Sequence, residues 1–411
     1  MTFFKYGCGT PAGKLNGGPV THDYRSGEKQ MLDHNGRKID YLRISVTDRC
    51  NLRCRYCMPD GICSVPMSQI LTYEEIRTVA EAAAELGVRH IKLTGGEPLV
   101  RRGITHLIRE LKEISAIESV TLTTNGTLLK KELPGLLEAG LDAVNISLDT
   151  MDREQYRDIT GSDELENVLE AVRSAANVTG EAGEKNACRQ SPFRVKINAV
   201  SLALGEENLR ALISLAKDMP VDVRFIEMMP IGYGKQFPVR HPGNPCGNRK
   251  LMEEGGDTYA VISHYDLLRQ LQLMYPGMRE DYRQHGYGPA VYYTIPGFQG
   301  SIGLISAIHG KFCDSCNRVR LTSEGFLKTC LCYNEGKDLR SILRAQLPEK
   351  EMRQQLREQM QDAIYHKPDA HCFENPGKIT ERSSMHAIGG CTGARRQSHA
   401  KAGVKSLTKA R

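Results

Sequence analysis

Three cysteines stand in one short run, Asp48-Arg49-Cys50-Asn51-Leu52-Arg53-Cys54-Arg55-Tyr56-Cys57, separated by three and then two residues. A [4Fe–4S] cluster is usually held by four thiolates. Three thiolates leave one iron open to a small molecule. The same residues also suit a zinc knuckle, so this run alone leaves both readings open. A second set lies far downstream: Cys313, Cys316 and Cys330, separated by two and then thirteen residues. Here the competing reading is a structural zinc site completed by His309 or Cys332.

Other residues fit chemistry around such groups. Gly95 and Gly96, in Thr94-Gly95-Gly96-Glu97-Pro98, let the backbone come close to a ligand. Arg318 and Arg320 alternate just after Cys316, so extended backbone points them the same way. An arginine fork matches phosphate geometry. Arg43 and Lys196 are charges inside otherwise apolar runs, and a buried charge is costly without a partner.

Hydrophobic patterning supplies the elements that must hold these residues. Short, apolar, mostly β-branched runs at Tyr41–Val46, His90–Leu93, Ser119–Thr123, Ala143–Ser147, Arg194–Ala199 and Val221–Glu227 predict parallel core strands. Thr72 and Glu75 form a capping box ahead of Ile76, Val79, Ala80, Ala83 and Leu86, and Gly87 is the stop. Further helices are expected at Gly103–Ile114, Lys130–Glu138, Asp152–Ile159, Asp163–Ala176 and Leu209–Lys217. Six β-α units imply an α/β fold, fewer than the eight of a closed barrel, so an open, partial barrel is expected. Chemistry collects at the carboxyl ends of such strands, and the first cysteine run follows the first strand. The polar stretches Asn177–Pro192 and Phe237–Tyr259 look inserted, the latter as a mobile loop.

The 411 residues allow one large or two medium domains. The 13 cysteines are grouped unevenly, unlike a secreted disulfide framework. Neither a signal peptide nor a run of roughly 18 apolar residues is visible, so a cytoplasmic enzyme without membrane association is expected. The net charge of +6 equals the charge of Arg395, Arg396, Lys401, Lys405, Lys409 and Arg411 in an acid-free tail. The rest is formally neutral, and nucleic acid is not an expected partner.

Taken together, these motifs resemble the radical S-adenosylmethionine (SAM) enzymes, and within them the GTP 3′,8-cyclases of molybdenum cofactor biosynthesis. The resemblance spans about residues 31–390. It rests on Gly36–Arg49 ahead of the first cysteines, Thr94–Pro98, Thr123–Gly126, Val144–Asp149, Arg224–Pro230, and the Cys313–Cys330 block with Asn317-Arg318-Val319-Arg320. It implies a partial (β/α)6 TIM-like radical SAM barrel over residues 31–236 and a C-terminal cluster and GTP-binding domain over 261–390. Residues 1–30 would be a flexible extension, 237–260 an inserted loop and 391–411 a basic tail.

The resemblance implies two [4Fe–4S] clusters. Cys50, Cys54 and Cys57 would hold the one that binds SAM, and Cys313, Cys316 and Cys330 the one that meets guanine. Tyr56, Gly96, Ser147 and Met229 match SAM contacts. Arg43, Lys92, Thr123, Lys196, Arg318, Val319 and Arg320 match GTP contacts, and Arg43 also belongs to the catalytic set. The implied lyase reaction starts when a SAM-derived 5′-deoxyadenosyl radical takes H3′ of GTP. C3′ then attacks guanine C8, and one electron and one proton give 3′,8-cyclo-7,8-dihydro-GTP. Implied partners are an electron donor such as flavodoxin or ferredoxin, and cyclic pyranopterin monophosphate synthase downstream. A homodimer is left open.

Two departures stand out. The family more usually has Lys and Arg at His90 and Lys92. Its Gly-Gly end corresponds to Gly389-Gly390, yet 21 residues follow. Such an extension must loop back out, be removed, or weaken activity. The rival readings are a peptide-modifying radical SAM enzyme, and a zinc- or cluster-bearing protein that binds RNA through its tail.

Overall fold

The structure, a computed structural model, describes residues 30–61, 65–185, 192–240 and 259–382. The expected N-terminal extension up to residue 29, most of the inserted loop (241–258), Met385–Gly390 and the basic tail lie outside the described residues.

Six strands fall within one residue of the sequence-based limits: β1 (Tyr41–Ser45), β2 (His90–Thr94), β3 (Ser119–Thr124), β4 (Ala143–Ser147), β5 (Arg194–Val200) and β6 (Asp222–Ile226). They pair in parallel in chain order. Between them run α1 (Tyr73–Glu85), α2 (Ile104–Lys112), α3 (Leu129–Glu138), α4 (Arg153–Thr160) and α5 (Leu165–Lys185), and α6 (Glu206–Asp218) precedes β6. The capping box is formed: Thr72 Oγ1 accepts from the Glu75 amide at 3.2 Å, and Glu75 Oε2 accepts from the Thr72 amide at 2.7 Å. Ile76, Val79 and Ala83 of α1 and Leu107 and Leu111 of α2 are wholly buried in one core with Leu42, Ile44, Ile91 and Leu93 of the sheet.

The structure differs from expectation in two places. Helix α5 runs through Asn177 to Lys185, so the first part of the expected Asn177–Pro192 insertion is helical. The apolar face ends near Ala176, but no proline interrupts the backbone before Pro192. The expected 237–260 loop is also anchored. Val239–Arg240 (β7) pairs in parallel with Val261–Ile262 (β8).

The last third adds β9 (Arg279–Asp281), β10 (Val291–Thr294), β11 (Ile302–Ile305), β12 (Arg318–Leu321), β13 (Phe326–Lys328) and β14 (Gly336–Asp338). β12 pairs in parallel with β1, and β11 pairs in parallel with β6. Eight parallel strands therefore lie in the order β12-β1-β2-β3-β4-β5-β6-β11, inside a continuous 12-stranded sheet. The unpaired N–H and C=O groups that six strands would leave on β1 and β6 are satisfied by the chain's own later segments. Among the described residues, no helix is long and apolar enough to cross a membrane.

Candidate active site

A cavity of about 410 Å³ opens where the parallel strands end. The last residues of β2 to β6 and β11 border it: Thr94, Thr124, Ser147, Val200, Ile226 and Ile305. Both cysteine sets border the same space. That placement follows from chain direction, because the loop after each parallel strand emerges on one face of the sheet.

The first cysteine loop is pinned from two sides. The amides of Arg53 and Arg55 donate to the carbonyls of Thr160 and Ile159 at the end of α4, at 2.8 and 2.9 Å. Opposite, the Gly96 amide donates to Thr47 O at 2.9 Å and the Glu97 amide to Arg49 O at 2.8 Å. The contact is too close for a side chain, since a Cβ on Gly96 would lie 2.3 Å from Arg49 O. Glu97 is fully buried. Its carboxylate accepts from Leu99 N (3.0 Å), Thr124 Oγ1 (2.8 Å) and Asn125 N (2.6 Å), and burial raises its pKa to about 7. It ties the glycine turn to the end of β3.

Asn125 carries the chain of contacts to the metal-binding candidates. Its Nδ2 donates to Asn51 Oδ1 at 2.8 Å and lies 3.8 Å from Cys50 Sγ, which the Leu52 amide also approaches at 3.4 Å. N–H groups directed at sulfur suit a ligating thiolate. Burial, then the neighbouring Cys57, Asp149 and Cys50, raise the Cys54 thiol well above its ordinary value. Tyr56 OH donates to Asp149 Oδ2 at 2.6 Å, and Asp149 Oδ1 accepts from the Val200 amide at 2.8 Å. Tyr56 is thereby fixed over the ends of β4 and β5. Ser147 and Met229 border the same space.

In the second set, Cys313, Cys316 and Cys330 border the cavity and Cys332 does not. Cys332 is wholly buried with Ile231 and Phe373, its Sγ 3.2 Å from Cys372 Sγ. His309, the other candidate fourth ligand, is held by Glu227 through Nδ1. Cys313 Sγ accepts from the His371 amide at 3.4 Å. Burial alone would raise Cys316, but Lys367, Arg318 and Arg320 outweigh it and bring the thiol down to about 7. Each triad borders the cavity beside donors or cations that suit thiolates, although among the described residues no three His, Cys, Asp or Glu side chains converge on a single metal-ion position.

Strand register builds a cationic row. Arg320 on β12, Arg43 on β1 and Lys92 on β2 are successive partners, and Arg318 lies two residues before Arg320 on the same face. Arg43, Arg318 and Arg320 border the cavity, as does Thr123. The Nε atoms of Arg43 and Arg318 are buried without a hydrogen-bond partner. Burial, together with Arg318 and Arg224, lowers Arg43 to about 10. Burial and the cations Arg224, Arg43, Lys196 and Arg318 press Lys92 well below its usual value. A surplus of clustered positive charge calls for a polyanion.

The remaining expected contacts lie off this space. Neither Lys92 nor Lys196 borders the cavity. Lys196 Nζ donates to Tyr292 OH at 3.2 Å and to the His285 carbonyl, and burial lowers its pKa to about 7. Val319 packs its side chain into the core on the opposite face of β12. His90 is buried, stacked on Tyr287 with ring centroids 3.3 Å apart.

Sequence reasoning missed several residues. Asn198 borders the cavity, and Arg224 Nε donates to its Oδ1 at 3.0 Å. Both are polar residues at inward positions of apolar strands, the same signal that marked Arg43. Lys367 and His371 also border the cavity, from a segment without periodic signal. Arg37 spends all five N–H donors on Asp33 Oδ2 and on the carbonyls of Cys313 (3.0 Å), Asp369 (2.8 Å), Lys367 (3.2 Å) and Pro368 (2.8 Å). It ties the segment ahead of β1 to the second cysteine loop.

The sequence resembles known proteins over most of its length. Residues 44–182 match the Radical SAM superfamily, and residues 221–373 match Molybdenum Cofactor Synthesis C. The GTP 3′,8-cyclase of Clostridium perfringens strain 13 is 39% identical over 362 residues, covering 88% of this chain and 100% of that protein. The GTP 3′,8-cyclase of Desulforamulus reducens is 38% identical over 362 residues, with the same coverage. Among solved structures, Streptococcus suis SuiB bound to S-adenosylmethionine matches with a TM-score of 0.46 and 16% identity, covering 85% of this chain and 78% of that one.

Proposed function

The chain belongs to the GTP 3′,8-cyclase family, and on that premise we propose how its own residues divide the work. It is a radical SAM enzyme of molybdenum cofactor biosynthesis, with SAM and two [4Fe–4S] clusters as cofactors. Cys50, Cys54 and Cys57 would hold the first cluster, and Cys313, Cys316 and Cys330 the second. Held there, the first cluster would bind SAM and supply the radical chemistry by which GTP is cyclised between ribose C3′ and guanine C8.

The chain's residues bind, orient and shield. Gly96 lets the glycine turn lie against the cysteine loop, and Tyr56, held by Asp149, walls the SAM side with Ser147 and Met229. Arg43, Arg318 and Arg320 receive the triphosphate, whose charge offsets their mutual repulsion. Lys92 and Lys196 support that row from outside the cavity wall, and Thr123 borders the substrate. Val319 can offer only backbone, since its side chain faces the core. The surrounding strand ends keep bulk water from the radical step. A flavodoxin- or ferredoxin-type donor would supply electrons, and cyclic pyranopterin monophosphate synthase would take the product onward.

One observation carries this assignment: both cysteine triads and the Arg43-Arg318-Arg320 group border one cavity. Equilibrium binding of GTP to Arg318→Ala/Arg320→Ala tests it. The double variant should bind GTP at least tenfold more weakly, while SAM cleavage persists slowly and uncoupled. Undiminished GTP affinity would reject the substrate site.

A further inference from the structure

We propose that His371 donates its Nε2–H to the cluster held by Cys313, Cys316 and Cys330, and so sets that cluster's reduction potential. The inference rests on the assignment of those cysteines as cluster ligands.

His371 is 7% exposed and borders the cavity beside the three cysteines. Its amide donates to Cys313 Sγ at 3.4 Å. Its ring stacks on Phe373, with centroids 4.4 Å apart and planes 24° apart. The Phe373 amide donates to Nδ1 at 3.4 Å. A neutral imidazole that accepts at Nδ1 carries its proton on Nε2. That Nε2 is buried and has no hydrogen-bond partner. Buried donors are rarely left unpaired, and such an exception calls for an acceptor.

Among the described residues, none meets Nε2 in hydrogen-bonding geometry. Glu374 lies 3.8 Å from the other nitrogen, Nδ1, and its carboxylate pairs with Lys311. The Ala307 carbonyl lies close enough to the ring to favour a proton on it, but not in hydrogen-bonding geometry to Nε2. The ring's position is also set independently of any ligand. Arg37 binds the carbonyls of Cys313, Lys367, Pro368 and Asp369 at once, so the cysteine loop and the segment leading into His371 are fixed to each other. A donor held this way against a three-thiolate site suits the sulfur of a cluster. Hydrogen bonds to cluster sulfur favour the reduced state and raise the potential.

The test is an EPR-monitored redox titration of the anaerobically reconstituted full chain. Cys316→Ser, which lacks the second cluster, identifies that cluster's signal. His371→Phe and His371→Asn remove a donor at the Nε2 position, whereas His371→Gln keeps an N–H close to it. The second cluster's potential should become more negative in the Phe and Asn variants and return towards wild type in Gln. The first cluster should not move. If Phe loses iron, the Asn and Gln pair still decides. A loaded second cluster with the same potential in wild type, Asn and Gln would overturn the inference and leave the proton with Ala307. A wild-type chain that assembles only the first cluster would overturn the cysteine assignment, and the inference with it.

Discussion

Arg37→Ala should release the second cysteine loop while leaving the first in place. The Arg37 and Asp33 side chains are 5% and 0% exposed, and together they form a buried ion pair. Breaking such a pair by removing one partner costs about 3–5 kcal/mol, because the remaining charge is stranded. The four carbonyls of Cys313, Lys367, Pro368 and Asp369 also lose a charged donor, each such bond being worth about 1.5–3 kcal/mol. These losses overlap, since water can enter the vacated space and the sites share one network. A net destabilisation of about 4–6 kcal/mol is therefore expected, well short of the sum. Hydrogen exchange should accelerate around residues 311–318 and 366–373, and iron content should fall towards a single cluster per chain. Arg37→Lys keeps the charge but not the five-donor fork, so it should recover only part of the protection. Adding Asp33→Asn to Arg37→Ala should recover part by another route, by removing the stranded carboxylate. Exchange and iron content in Arg37→Ala equal to wild type would refute the clamp.

Gly96→Ala should displace the first cysteine loop, since its Cβ would meet Arg49 O at 2.3 Å; iron analysis and absorbance of the reconstituted protein should show the first cluster lost and the second kept. Cys330→Ser should lose the second cluster whereas Cys332→Ser should keep it, because only Cys330 borders the cavity; equal iron loss in both would contradict this. Lys196 titrates near 7 in the fold against an ordinary 10.5, burial being the main cause. Between those values the unfolded chain holds a proton that the folded chain has released, so this group's contribution to stability rises with pH across the window and is lowest below 7. Lys196→Met should flatten that slope in denaturant titrations from pH 7 to 9, and an unchanged slope would count against the shift.

The six central strands could be read from sequence because each is a short, apolar, β-branched run buried on both faces. The flanking pair could not. Ile302–Ile305 is only four residues long and is interrupted by a glycine, and Arg318–Leu321 turns two arginines inward, so neither stands out as an apolar strand. Helix α5 outruns its expected end for a related reason: its apolar face stops near Ala176, while a helix needs only unbroken backbone to go on. Site residues followed the same division. Arg43 stood out as a charge inside an apolar strand, and Asn198 and Arg224 bear the same mark at inward positions. Arg37 acts on backbone carbonyls 276 or more residues away and His371 on a cysteine 58 residues away, separations that no local pattern records.

The central claim, that this cavity couples SAM cleavage to GTP, is tested most directly under anaerobic conditions. The protein is reconstituted with iron and sulfide, reduced and given SAM, and 5′-deoxyadenosine is followed by mass spectrometry with and without GTP. Deoxyadenosine that rises with GTP, together with a cyclic product derived from GTP, is the predicted result. Deoxyadenosine formed at the same rate whether or not GTP is present, with GTP recovered intact, would contradict it.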